Sequence, residues 1–415
     1  MKRYSEYKDS GVKWIGEIPG HWKIVRLKFV TENLDYLREP ISAELRERKN
    51  PQYDYYGASG IIDKIDHYNV DDKVLLIGED GANLLMRNLP LVYRAEGKFW
   101  VNNHAHILKT RLNDYSFFAH LLESQDYTLF VTGTAQPKLS QFNLGNVPLP
   151  ISPINEQKIM GKYLDSKVAK IDEYISIAEK KIAALEELKQ TIIAEAVTRG
   201  IHKDVPMKDS GVKWIGMIPE HWDLKRTAML FSENRKKNIN YEFDHALKFN
   251  YGKLVSKNEI GDVSSLKETY MAYTVINKND IAINCLNLNY DFVSQRVAIS
   301  PQKGIITSAY LIITPRQGVE AMYYNYLFKA MDSKKLFHGM GTGIRLTLSF
   351  SELKKQQIPV PPLPEQQEIV TYLDSKVANI NQLCQTERAQ IEKLKEYKQR
   401  LISDVVTGKV KVMND

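Results

Sequence analysis

Two groups of residues in this 415-residue chain could hydrogen-bond the edges of nucleobases. The first is Asn83, Arg87, Asn102, Asn103, His104, Gln136 and Lys138. The second is Asn284, Asn287, Asn289, Tyr290, Arg296, Ser308 and Arg345. Arg and Lys suit the paired acceptors of guanine in the major groove, and Asn and Gln suit the donor–acceptor pair of adenine. Tyr55, Tyr56, Trp100 and Tyr310 lie among them. Any one of these residues alone reads more readily as an ordinary turn or surface position. Their grouping carries the signal.

Other chemistries fit less well. His104 and His106 stand at strand spacing and could share a face. A metal would need a third ligand, and none is near in sequence, so a polar contact or a satisfied histidine is expected. Cys285 and Cys384 are too far apart for a zinc pair or a disulfide framework and read as buried thiols. No GxxxxGK[ST] phosphate loop occurs, and no Asn-Pro-Pro-aromatic motif. The glycines of GMGTG (339–343) are not set between a strand and a helix, so a dinucleotide site is not expected. That segment and GTAQPKLS (133–140) read as matching turns beside the ligand. No acid–base pair or nucleophile constellation stands out.

The elements that must position these residues are duplicated. Residues 8–22, KDSGVKWIGEIPGHW, return at 208–222 as KDSGVKWIGMIPEHW. Residues 156–169, EQKIMGKYLDSKVA, return at 365–378 as EQQEIVTYLDSKVA. A proline-rich stretch precedes each second repeat. The frame is kept while the segments inside it, roughly 30–145 and 230–355, look unrelated. Trp14, Trp22, Trp214 and Trp222 read as packing, with Pro19 and Pro219 fixing a turn.

Each frame closes with a long helix. Leu164, Val168, Ile171, Ile175, Ala178, Ile182 and Leu185 repeat at alternating spacings of four and three. Their twins are Leu373, Val377, Ile380, Cys384, Glu387, Ile391 and Leu394. That is a coiled-coil seam, broken in the second copy at Glu387. Lys189 and Lys398 occupy the next seam position, so Leu188 and Tyr397 are expected to take it over. Neither helix can bury its seam alone, so the two are expected to pack on each other, antiparallel. The segments between repeats alternate short apolar runs with glycine turns, as at Val74–Ile77, His106–Leu108, 280–288, 296–300 and 304–315. Helices are expected at 114–130 and 320–335.

The expected class is α+β: two α/β globules joined by two long helices in an antiparallel coiled coil. The expected division is 1–150, a first globule with the N-terminal repeat; 151–200, a first helix; 201–357, a second globule; and 358–415, a second helix and tail. The net charge of +7 is compatible with a nucleic-acid partner without requiring one. The polar start and the absence of eighteen consecutive apolar residues argue against a signal peptide or a membrane span, so a cytoplasmic protein is expected.

The segments WIGEIPGHW, PVPPLPEQQ, LIGEDGAN and KFWVNNHAHIL, in this duplicated layout, closely resemble the specificity subunits of type I restriction–modification systems. The resemblance implies two target-recognition domains, each reading one half of a split site in double-stranded DNA, with the helices setting the gap. It implies two methyltransferase subunits and further restriction subunits as partners. S-adenosylmethionine, Mg and ATP would belong to those partners, and the chain itself would be non-catalytic. A coiled-coil scaffold without sequence-specific DNA binding is the alternative, and a self-sufficient DNA-modifying enzyme is the least favoured reading.

Overall fold

The two copies of the fifteen-residue repeat fold identically because each carries its own tryptophan anchor. In the computed structural model, which describes residues 2–46, 51–133, 136–257, 263–341, 343 and 346–412, the chain divides into two compact units. One is Met1–Ala178 with Arg388–Asp415; the other is Glu179–Glu387. In the first, Tyr7–Asp9 pairs antiparallel with Glu17–Pro19, and Lys23–Arg26 with Pro148–Ile151. In the second, Met207–Asp209 pairs with Met217–Pro219, and Asp223–Arg226 with Gln357–Val360. Trp22 and Trp222 are fully buried. Each satisfies its indole N–H on the first acid of the long helix: Trp22 Nε1 donates to Glu156 Oε2 at 3.1 Å, and Trp222 Nε1 to Glu365 Oε2 at 3.0 Å.

The first unit holds a six-stranded sheet. Its strands are β1 (Thr31–Asn33), β2 (Tyr53–Gly57), β3 (Gly60–Ile65), β4 (Val70–Gly78), β5 (Val92–Val101) and β6 (Ala105–Thr110), in the order β1-β6-β4-β5-β2-β3. Helix α1 (Tyr115–Glu123) starts at Asp114, whose carboxylate accepts from Phe117 N at 2.9 Å. The long helix α2 runs from Ile154 to Arg199. Gln157, in its first turn, accepts from Asp114 N at 2.9 Å and donates to Ser152 O at 2.8 Å. The Glu156–Gln157 pair thereby ties the long helix to the tryptophan repeat on one side and to α1 on the other.

The second unit repeats this plan. Strands β7 (Phe231–Glu233), β8 (Ile281–Ile283), β9 (Val297–Ile299) and β10 (Leu311–Pro315) lie in the order β7-β10-β8-β9. That matches β1-β6-β4-β5 strand for strand. Helix α3 (Ala321–Ser333) takes the place of α1, and α4 (Leu363–Val406) that of α2. Gln366 accepts from Glu320 N at 3.0 Å and donates to Pro361 O at 2.8 Å, as Gln157 does in the first unit. The segments that share no recognisable residues therefore share a sheet.

The helices pack antiparallel within each unit. In the first, Met160, Leu164 and Ile171 of α2 share a core with Leu401, Ile402, Val405 and Val406 of α4. In the second, Ile193, Ala196 and Val197 share a core with Ile369 and Leu373. Leu188 and Tyr397 do not take over the seam: both are about half exposed. Lys189 and Lys398 keep their places instead, because a lysine can lay its aliphatic stem along the seam and still carry its charge to a partner. Lys189 Nζ reaches Asn381 Oδ1 at 3.0 Å, and Lys398 Nζ reaches Asp172 Oδ1 at 2.6 Å. Glu387 likewise stays in the seam, half-buried and paired with Lys181.

Gly200 and Gly408 end the two helices at φ of 76° and 73°. They are not equivalent. A Cβ on Gly408 would stand 2.4 Å from Pro19 Cδ, whereas one on Gly200 would meet nothing nearer than 3.3 Å. Beside Gly408 the two chain ends meet. Tyr7 Oη donates to Gly408 O at 3.0 Å, and Lys411 N donates to Lys2 O at 2.8 Å. Gly408→Ala is therefore expected to cost about 2–3 kcal/mol, since it adds backbone strain to a collision with a ring. Gly200→Ala should cost about 1 kcal/mol from strain alone. Parallel thermal melts of the two variants check the ranking.

Candidate nucleic-acid interface

In the first unit three chain segments are drawn together at the end of β4. Glu79 N donates to His104 O at 2.8 Å, Leu139 N to Glu79 O at 2.9 Å, and Gly81 N to Pro137 O at 2.7 Å. These bonds place Asn103, His104, Gln136 and Lys138 on one exposed surface. Asn102 lies beneath it, buried, with its Oδ1 accepting from His104 N at 2.8 Å. The surface carries paired charge. Arg38 Nη1 contacts Glu79 Oε2 at 2.9 Å, Lys138 Nζ contacts Glu79 Oε1 at 3.5 Å, and His104 Nδ1 faces Asp80 Oδ2 at 3.2 Å.

A buried ion pair supports the surface. His106 Nδ1 lies 2.6 Å from Asp35 Oδ2, and its Nε2 lies 2.7 Å from Leu139 O. Both partners can only accept, so both ring nitrogens donate. Asp35 Oδ1 accepts from Ile107 N at 2.8 Å. Burial alone would raise the Asp35 carboxyl, but the hydrogen bonds from His106 and Ile107 N, with Arg38 nearby, outweigh it and hold it below its ordinary range. The expectation of a satisfied histidine is met at His106, and among the described residues no group of three ligands could hold a metal.

Because the folded state depresses the Asp35 pKa, the stability it contributes is complete above the unfolded carboxylate value. That stability is lost as pH falls through the lower, folded value. Asp35→Asn is expected to cost about 3 kcal/mol at neutral pH, as for breaking a buried ion pair. It should also flatten the acid limb of a stability–pH curve below about pH 4. Urea denaturation at several pH values measures both.

Asn83 and Arg87 lie outside this surface cluster. Asn83 clasps its own loop: Nδ2 donates to Leu89 O and Pro90 O at 3.2 and 3.1 Å, and Oδ1 accepts from Leu89 N at 2.9 Å. Arg87, at φ 53°, donates to Glu123 O and Gln125 O at 3.1 and 2.6 Å. Their side chains hold the β4–β5 connection against α1.

The second unit's residues lie mostly on the equivalent connection, between β8 and β9. The strand expected over 280–288 stops at Ile283, because Asn284 Oδ1 turns the chain by accepting from Leu286 N at 3.1 Å. Asn287 and Tyr290 are exposed on the loop, and Asn284 and Asn289 are half-buried. Arg296 is fully buried. Its guanidinium donates to Asn284 O at 3.2 Å, Leu286 O at 2.6 Å, Asn287 O at 3.4 Å and Asp291 O at 2.6 Å. It shapes the loop from within and presents no donor outward. Ser308, on the connection before β10, donates to Ala272 O at 2.6 Å and accepts from Lys237 Nζ. Arg345 lies outside the described residues.

Sequence reasoning missed Arg38, Glu79 and Lys237, which organise these surfaces, and the exposed apolar side chains of the β8–β9 loop. Each is ordinary in sequence and becomes informative only through what it touches. Both cysteines are buried, as expected, and burial pushes the Cys285 thiol up to about 12.

Comparison with known proteins follows this geometry. The pattern of the family described as type I restriction modification DNA specificity domain matches twice, over residues 19–187 and 219–393. The type I restriction enzyme MjaVIII specificity subunit of Methanocaldococcus jannaschii is 24% identical over 441 aligned positions, covering 98% of each chain. The type I restriction enzyme EcoBI specificity subunit of Escherichia coli is 22% identical, covering 66% of this chain and 60% of its own. A solved chain described under complex assembly and conformational transition of the type I R-M system shares the fold. Its TM-score is 0.66 at 16% identity, over 95% of this chain and 99% of that one.

Proposed function

This chain belongs to the type I restriction modification DNA specificity family, and from that premise we propose that each unit reads one half of a split DNA site. The first unit's reading surface is the cluster of Asn103, His104, Gln136 and Lys138. The second unit's is the β8–β9 loop with Asn284, Asn287, Asn289 and Tyr290. Asn83, Arg87, Asn102, Arg296 and Ser308 act one step back, by fixing the loops that carry those side chains. Phosphate contacts supply most of the affinity and the loops supply the choice of bases.

One observation carries this reading. The frame and the four-strand sheet are the same in both units, while the loops at the sheet ends differ in residue and in shape. Such a plan suits one ligand met twice with different local content, as in a duplex whose two half-sites differ in sequence. The long helices set the unread gap between the halves. Two methyltransferase subunits dock on the repeated frame and methylate adenine N6 with S-adenosylmethionine. Restriction subunits, using ATP and Mg, join that core, and the chain itself does no chemistry. No described helix is long and apolar enough to cross a membrane.

The test is an adenine-methylation map of cells expressing this chain with its methyltransferase subunit. Two short defined blocks around a fixed gap, dependent on this chain, are the expected result. A soluble complex that binds DNA without sequence preference, and places no new methylation, would favour the scaffold alternative.

A further inference from the structure

The β8–β9 loop of the second unit exposes apolar side chains that a rigid backbone holds in place. Val293 is 91% exposed, Tyr290 81% and Phe292 54%. Arg296 holds four carbonyls of the loop from beneath. Asp291 caps its tip, with Oδ1 accepting from Val293 N at 3.1 Å and Ser294 N at 2.9 Å. Phe292 stacks on His338 at 4.7 Å between ring centroids and 18° between planes. Such a tip pays its ordering cost before any partner arrives.

A second exposed aromatic adjoins it. Asn250 and Lys253 pair across a two-residue hairpin turn in which Tyr251 and Gly252 have φ of 46° and 70°. A Cβ on Gly252 would stand 2.3 Å from Gln295 Oε1, so the turn lies against the loop, and Tyr251 is 91% exposed. Lys253 follows the turn. Lys329 of α3 is mostly buried, and its ammonium is lowered to about 8, by burial first and then by Lys253 and Lys189, with Asp332 opposing. Among the described residues Lys253, which is exposed, makes no ion pair. Flat and branched apolar groups beside an exposed, unpaired cation match a polyanion with π faces.

We propose that this tip is a preformed wedge: Tyr290 and Val293 enter a groove of the half-site read by the second unit and unstack one base step, while Lys253 takes a flanking phosphate. Wedges of this kind trade unstacking for a bent duplex that meets more protein surface. The inference rests on the DNA-reading function proposed above.

The test uses the complete complex with its methyltransferase subunit and duplexes bearing the mapped site. 2-Aminopurine replaces one adenine at a time, the methylated adenine excepted. Wild type should brighten the probe at one step in the second half-site. The double variant Tyr290→Ser, Val293→Ser should return it to the duplex level and weaken binding roughly tenfold, as for loss of a base-stacking contact. Lys253→Ala should lower the slope of log affinity against log salt by about one. An unchanged probe signal in the double variant, no brightening with wild type, an unchanged salt slope, or loss of the methyltransferase subunit from the double variant would each overturn the wedge. If the wedge fails while the methylation map still shows a split motif, the reading function stands. If wild type yields no split motif, both fall.

Discussion

Arg296→Met should destabilise the second unit by about 3–5 kcal/mol, the range for breaking a buried charged network, and should erase reading of one half-site. The side chain is fully buried, and its four carbonyl partners belong to residues 284, 286, 287 and 291. Methionine fills similar volume but donates nothing, so those carbonyls lose a shared charged donor in a dry setting. Asp332 keeps its bond from the Arg296 backbone N at 2.8 Å, so β9 should remain attached to α3. The loss should concentrate in the loop. Arg296→Lys should recover only part of the stability, because one ammonium cannot reproduce a planar fork. Thermal melts should rank wild type above lysine above methionine. Methylation mapping should show the first half of the motif retained while the second becomes degenerate. A methionine variant with unchanged melting and an intact motif would contradict this account.

Inserting one heptad at matching places in both long helices is expected to lengthen the unread gap while leaving both half-sites as they were. Seven residues add about 10 Å at 1.5 Å per residue, which corresponds to about three base pairs at 3.4 Å each. A heptad preserves the seam phase, so the pairs Lys189–Asn381 and Lys398–Asp172 can re-form on either side of the insertion. An insertion in one helix only would displace those pairs against each other and should give an unstable protein. The methylation map of the doubly extended chain reads the outcome directly. A gap of unchanged length would mean that something other than the helices sets it.

The frame was legible in the sequence, and the contents were legible only in part. Duplication, proline entry and a 4,3 spacing are local signals, and they led to the antiparallel helices. The seam shift did not occur, because counting Lys189 and Lys398 as polar ignored their long apolar stems. The common sheet was hidden because β8, β9 and β10 are only three to five residues long and lie mainly buried. They show no alternation to align with β4 or β6. Arg296 shows the same difficulty in the site. An arginine in an asparagine-rich loop reads as a surface contact, and only the fold reveals four carbonyls closing around it. Asn103, His104 and Lys138 are exposed, as a surface contact requires.

The first unit takes its core from two stretches far apart in sequence, on either side of the second unit, and this has a consequence for the order of folding during synthesis. Residues 179–387 are continuous, so the second unit is complete once its own stretch has left the ribosome. The first unit is different. Its core includes Leu401, Ile402, Val405 and Val406 packed with Ile15, Ile18 and Trp22, so residues 15–22 must wait for residues 401–406, which follow the whole second unit. Domains emerging during translation ordinarily fold in the order of synthesis; here the order is reversed. A chain that stopped before Leu401 would hold a finished second unit and an unfinished first, so an intact first unit also certifies that synthesis passed through the second.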